Sequence, residues 1–147
     1  MQHFSVNKSQ HNGLTKERWS SFSTAQQILT IANEMNRAKR LFSPLDKNGL
    51  ALCYERVLYL TDLAIQLNLS RYVSKRDLSR GLRRELLRWR DCVAREYICS
   101  IAAEDSLEKP DINRHLKIFK SLLLLNIESA NQMPYLMPMA QRIRRQP

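Results

Sequence analysis

The stretch from Ser74 to Ala103 most constrains what this chain can fold into. Its apolar side chains recur every three to four residues, which is the spacing of one face of an α-helix. Its arginines fall on the opposite face, and Ser74 is the predicted N-cap. The apolar face comprises Leu78, Leu82, Leu86, Trp89, Val93 and Tyr97, and the basic face comprises Arg76, Arg80, Arg83, Arg84, Arg88, Arg90 and Arg95. The first face requires a core to pack against, and the second requires water or a negatively charged partner.

The rest of the chain also favours helices, because its 147 residues include only three glycines and five prolines. Such a scarcity of helix breakers argues against a turn-rich β fold. We predict an all-α protein, an antiparallel up-down-up-down four-helix bundle with a flexible polar N-terminal tail and a basic C-terminal tail. The expected boundaries are a tail at 1–21, the bundle at 22–131 and a Pro/Met-containing tail at 132–147.

The other three helices are predicted from their caps and apolar spacing. The first runs from Thr24 to about Leu41, with Ser23 and Gln26 forming a capping box. The second follows Pro44, is capped by Asp46 and ends near Leu67, and the fourth spans Ile112 to Ala130 behind Asp111. Residues 68–73 are expected to connect helices two and three. Gly81 is expected to mark a close helix crossing, and the fourth helix is expected to turn Leu116, Phe119, Leu123, Ile127 and Ala130 inward.

The second predicted helix is apolar around most of its circumference, so we expect it to be buried on nearly all sides. In a chain of this size, such a helix indicates a subunit interface as well as a core. We therefore predict a homo-oligomer.

The charge balance points to an anionic partner. The chain carries 24 Lys and Arg against 14 Asp and Glu, a net charge of +10. Such an excess is typical of proteins that bind nucleic acid, an anionic membrane or an acidic protein. Apolar runs such as Leu122 to Leu125 are far too short to span a bilayer, and the polar N-terminus lacks a signal sequence, so we predict a cytoplasmic protein.

The cysteines and histidines indicate no metal site and no cofactor. Cys92 and Cys99 would lie about 10 Å apart along one helix, too far for a disulfide, and no zinc spacing occurs. We expect both of them and Cys53 to be small buried residues in a reducing compartment. His115 is the one histidine outside the polar tail and has no identifiable carboxylate partner. With no glycine-rich phosphate loop either, the chain is predicted not to be an enzyme.

The arginines are the best functional feature. Arg76, Arg80, Arg84 and Arg88 recur at every fourth residue and would form a ridge about 18 Å long. The ridge lacks aromatic side chains for stacking on single strands, and it lacks a helix-turn-helix pairing with a short glycine turn. We therefore predict contacts with the phosphate backbone and no sequence reading. The predicted nucleic-acid-binding residues are Arg76, Arg80, Arg83, Arg84, Arg88, Arg90, Arg95, Arg142, Arg144 and Arg145.

Two other interpretations of the cations stay open. The arginine face could dock onto an acidic protein partner, which would make the chain an adaptor module. Arg37, Lys39 and Arg40 end the first helix, where they either stabilise the negative end of its dipole or bind a ligand.

The order of features from Arg40 to Ile127 resembles a known family of helical proteins. The similar segments are FSP at 42–44, YERV at 54–57 and LRRELLR at 82–88. They resemble the four-helix-bundle accessory (variability determinant) proteins of diversity-generating retroelements and the related ribosomal-insert bundle proteins. The resemblance implies a basic oligomer, pentameric in known members, that binds a reverse transcriptase and nucleic acid without catalysing a reaction.

Overall fold

A computed structural model describes the backbone of residues 15–75 and 77–137, and the side chains of the same residues except 68–80. Within these ranges the chain forms seven helices and no β-strand, which confirms the all-α prediction. The helices are α1 (Lys16–Ser20), α2 (Thr24–Lys39), α3 (Lys47–Lys75), α4 (Asp77–Ile101), α5 (Ile112–Leu123), α6 (Ile127–Ala130) and α7 (Met133–Leu136).

The predicted caps are confirmed at the starts of three helices. Ser23 and Gln26 form the capping box of α2, with both reciprocal hydrogen bonds present. The Asp46 carboxylate accepts a hydrogen bond of 2.9 Å from the backbone N–H of Gly49 at the start of α3. Asp111 accepts from two backbone N–H groups in the first turn of α5. Each side chain satisfies a donor that the helix itself leaves without a partner.

The predicted junction between helices two and three is wrong. Residues 68–73 continue α3, which runs to Lys75, so Ser74 lies inside α3 and does not cap α4. The segment contains neither glycine nor proline, so nothing in its backbone forces a break. Gly81 does not mark a helix crossing, because an added Cβ would meet nothing within 4 Å.

The predicted fourth helix is two helices. Helix α5 ends at Leu123 with Leu124 as its C-cap, and the side chain of Asn126 accepts from the backbone N–H groups of Glu128 and Ser129 to begin α6. The break changes which face points inward. As a result Ile127 is 78% exposed, contrary to prediction.

Both predicted tails contain ordered helix. In the N-terminal tail, α1 brings Trp19 into the core at 1% exposure. In the C-terminal tail, α7 precedes Met137, which is 8% exposed and also belongs to the core. The core therefore extends beyond the predicted limits of 22–131. Residues 1–14 and 138–147 lie outside the described part of the chain.

The longest helices, α3 and α4, pack side by side in opposite directions. Tyr97 of α4 donates a hydrogen bond of 3.0 Å to Glu55 of α3, and the Lys47 ammonium at the start of α3 donates to the carbonyl of Ala102 beyond α4. Helix α2 contacts α3, α5 and α6, α4 contacts α5, and α1 contacts α3. The apolar face predicted for α4 is confirmed where it is described, because Leu86, Trp89 and Val93 are buried.

None of the helices within residues 15–75 and 77–137 is long and apolar enough to cross a membrane.

A polar cluster around His115 lies at the centre of the core. The ring is 0% exposed, and its Nε2 lies 2.9 Å from the carbonyl oxygen of Met35. Since a carbonyl only accepts, Nε2 carries the proton, and Nδ1 accepts the hydrogen bond of 2.8 Å from the Tyr54 hydroxyl. Burial lowers the pKa of His115 to about 4, so the ring is neutral at pH 7. Burial also raises the pKa of Tyr54, which keeps its hydroxyl a donor.

Protonation of His115 is expected to make folding pH-dependent. Its pKa rises from about 4 in the folded chain to about 6.5 when unfolded. The unfolded chain therefore binds a proton first, and stability is lost as pH falls from 6.5 towards 4. Between pH 7 and pH 5 this group alone should lower the free energy of unfolding by about 2 kcal/mol. Urea unfolding of the wild type and His115→Gln at both pH values measures this, and an identical pH dependence in the two proteins would contradict it.

Candidate nucleic-acid interface

Three of the predicted arginines share one exposed strip on the outer side of α4. They are Arg84, Arg88 and Arg95, whose separations of four and seven residues place them on one side of a helix. The strip, named here the arginine strip, is about 16 Å long from Arg84 to Arg95 at the usual helical rise. It lies opposite the buried face, so its cations point away from the core.

The cations of the arginine strip are largely unneutralised. Within the described residues neither Arg84 nor Arg95 forms an ion pair. Arg88 contacts Glu85 at 3.2 Å, but both side chains are at least half exposed. An exposed pair of this kind contributes at most about 1 kcal/mol and is readily exchanged for another anion. Asp91 is a second exposed acid here, between Arg88 and Arg95, so the three arginines together with Glu85 and Asp91 carry a net charge of +1.

Arg90, by contrast, faces α3. Its guanidinium donates two hydrogen bonds to the carboxylate of Asp62, one of them measuring 3.1 Å from Nη2 to Oδ2. The bond to Asp62 raises the pKa of Arg90, and the pair links α4 to α3. Arg83 is partly buried, and its Nε has no hydrogen-bond partner among the described residues. Neither residue lies in the arginine strip.

The remaining predicted residues cannot be placed. Arg76, where the predicted ridge begins, lies outside the described residues. Arg80 lies in α4, but its side chain is outside the described set. The three arginines of the C-terminal segment, Arg142, Arg144 and Arg145, lie wholly outside the described residues.

A further cation, Lys117 of α5, was not predicted for the site. It is exposed and lines the same depression of about 670 Å³ as Arg95, from the opposite helix. The sequence does place Lys117 on the outer side of helix α5, but its proximity to α4 depends on packing between helices. The structure thus adds a lysine beside the arginine strip.

Arg114, near Lys117 on α5, is engaged inside the protein. Its Nε donates to both oxygens of Glu96 at 3.2 and 3.3 Å, and its Nη2 donates to the carbonyl of Lys109 at 2.6 Å. Glu96 is 6% exposed, so Arg114 neutralises a buried carboxylate. This cluster joins α4, α5 and the loop between them.

The expectation that all three cysteines are buried is wrong for Cys92. Cys53 and Cys99 are buried, and burial raises the pKa of both thiols, which makes them unreactive. Cys92 is exposed because it lies on the flank of α4 that faces the open depression beside α5.

Comparison with known protein families, with curated proteins and with solved structures finds no match for this chain. The function therefore has to be inferred from the residues and their arrangement.

Proposed function

We propose that this chain is a non-catalytic nucleic-acid-binding accessory protein, contacting the phosphate backbone through the arginine strip. The observation that carries the proposal is a set of three exposed arginines on one side of α4, two of them without an ion pair in the described residues. Each guanidinium offers several N–H donors in a planar arrangement suited to phosphate oxygens. A strip about 16 Å long spans several phosphates of a duplex.

The proposed framework is an up-down-up-down four-helix bundle of α2, α3, α4 and α5. In its support, α2 contacts α3 and α5, and α4 contacts α3 and α5, which is a closed ring of neighbours. A rigid bundle would hold the strip straight and outward-facing. The proposal includes assembly into a cytoplasmic homo-oligomer, which would multiply the number of strips available to one nucleic acid.

The rival function is an adaptor whose arginine face docks onto an acidic protein. Both functions use the same cations, so salt dependence alone separates them poorly. The two functions differ in the anion that the arginines bind. The phosphates of a nucleic acid are closely and regularly spaced along a stiff backbone, whereas the carboxylates of an acidic protein lie on flexible side chains.

Competition between polyanions tests the proposed function. Fluorescence anisotropy of labelled duplex and single-stranded oligonucleotides of about 20 nucleotides should give micromolar or tighter binding at low salt. Unlabelled oligonucleotide and heparin should displace the labelled oligonucleotide. Polyglutamate at equal charge concentration should be a competitor at least about tenfold weaker, because its carboxylates match the guanidinium pattern less well than closely spaced phosphates do. Absence of oligonucleotide binding at low salt, or equal displacement by polyglutamate, would contradict the proposal.

A further inference from the structure

An open trough runs between α4 and α5. It consists of two adjoining depressions of about 670 and 360 Å³, and Cys92 lies between them in the lining of both. On α4 the lining extends from Glu85 to Cys99, about 21 Å at the usual helical rise. That length matches about four turns of an α-helix.

The trough is apolar at its base and along its edges. Trp89 and Ile118 line its base, where the Trp89 indole donates a hydrogen bond of 2.8 Å to the Ile118 carbonyl. Three large apolar side chains at its edges are exposed: Ile98 by 53%, Leu107 by 101% and Leu124 by 58%. Apolar side chains gathered in this way along one concave surface are typical of a protein interaction site.

The charges along the trough set the chemistry of its occupant. Glu85 is paired with Arg88 and Glu96 with Arg114. Arg95 on one edge and Lys117 on the other have no ion pair within the described residues. Glu108, in the loop beyond α4, is the remaining acid of the lining. An apolar stripe with a carboxylate on each flank is the complement of this surface.

Three other occupants fit less well. Nucleic acid would gain little from an apolar base in which Trp89 is only 4% exposed and offers no face for stacking. A second copy placed face to face would bring the arginine strips together, and like charges across an interface cost several kcal/mol. The chain's own terminal segments, 1–14 and 138–147, contain no acidic residue.

We propose that the trough binds an acidic amphipathic helix of a partner protein, about 14 residues long. Its apolar residues, spaced at i, i+3, i+4 and i+7, pack onto the base between Trp89 and Ile118. Its flanking carboxylates pair with Arg95 and Lys117. Two members of the arginine strip, Arg88 and Arg95, also line the trough, whereas Arg84 lies outside its lining and stays open beside the bound helix.

The test is a selection from a phage-displayed library of peptides of about 16 residues against the full chain. Peptides that also bind the double variant Ile98→Gln/Leu124→Gln, which disrupts the apolar edges without changing the charge, are removed first, so that the remaining peptides are those that bind in the trough. Both substituted residues are more than half exposed, so the variant should fold normally. The selected peptides should show the helical apolar spacing and an excess of Asp and Glu, and should protect the Cys92 thiol from alkylation.

Single substitutions then define the chemistry of the binding site. Lys117→Glu should lower the affinity for a selected peptide at least tenfold, and Glu108→Lys should raise that affinity by a few fold. Leu52→Asp is the matched control, since Leu52 is 45% exposed on α3 and should leave binding unchanged.

The proposal is overturned if no selected peptide discriminates against the double variant, or if those that do are basic or lack helical spacing. Oligonucleotide binding by the double variant is measured in parallel. It should equal that of the wild type, so failure of the docking site and failure of the nucleic-acid function are distinguishable.

Discussion

Replacing Arg114 with alanine is expected to lower the free energy of unfolding by about 3 kcal/mol. The substitution leaves the carboxylate of Glu96, which is 6% exposed, without the guanidinium that donates to both its oxygens. It also removes the hydrogen bond to the Lys109 carbonyl, which ties the loop before α5 to the helices. The cost is at the low end for a broken buried pair, because Arg114 itself is 46% exposed and water can reach its place. Urea denaturation measures the change.

A double-mutant cycle isolates the charge from the packing. Glu96→Gln keeps the shape of the side chain but removes the charge. Adding it to Arg114→Ala should therefore restore about 1 to 2 kcal/mol of the lost free energy of unfolding. The matched control is Lys117→Ala, on the same helix but without an ion pair among the described residues, which should change stability by less than about 0.5 kcal/mol. An Arg114→Ala protein as stable as the control would refute this role.

Features that depend on a few neighbouring residues could be predicted from the sequence. The caps at Ser23, Asp46 and Asp111 lie where expected, because an N-cap is a contact between residues two or three apart. The apolar face of α4 was predicted for a similar reason, since periodicity is visible within a single helix. Leu86, Trp89 and Val93 are buried as that pattern required.

The junction between α3 and α4 could not be predicted in this way. Ser74 has the chemistry of a cap, but it lies within α3, which runs to Lys75, and α4 is described from Asp77. Local preference was overridden there, because the antiparallel pairing of two long helices requires the chain to reverse at one place. That pairing depends on contacts such as Tyr97 to Glu55, which are 42 residues apart.

The identity of the available arginines also required the structure. From the sequence alone, Arg84 and Arg90 are equivalent members of one basic face. Asp62 is 28 residues from Arg90, and only the packing of α4 on α3 brings the two together. Likewise, Lys117 approaches Arg95 only because α5 lies beside α4. Charge composition predicts that an anion is bound, and packing determines which cations are left to bind it.

Neutralising the arginine strip is expected to weaken nucleic-acid binding on the order of 100-fold at low salt. The variant Arg84→Gln/Arg88→Gln/Arg95→Gln keeps long side chains with good helix propensity, so α4 should retain its circular dichroism signal. Its matched control is Lys16→Gln/Arg37→Gln/Arg40→Gln, which removes the same three charges from exposed positions at α1 and the end of α2. The control should lose only the few-fold affinity that a general decrease in net charge causes. It also tests whether the cluster at the end of α2 is a ligand site.

The salt dependence of duplex binding, compared among the wild type, the strip variant and its control, tests the central claim most directly. Each lost phosphate contact reduces the slope of log affinity against log salt by about 0.9, so the strip variant should lose about 2 to 3 from the wild-type slope. The control should keep the wild-type slope to within about 1. Equal slopes for all three proteins, or a loss confined to the control, would contradict binding through α4.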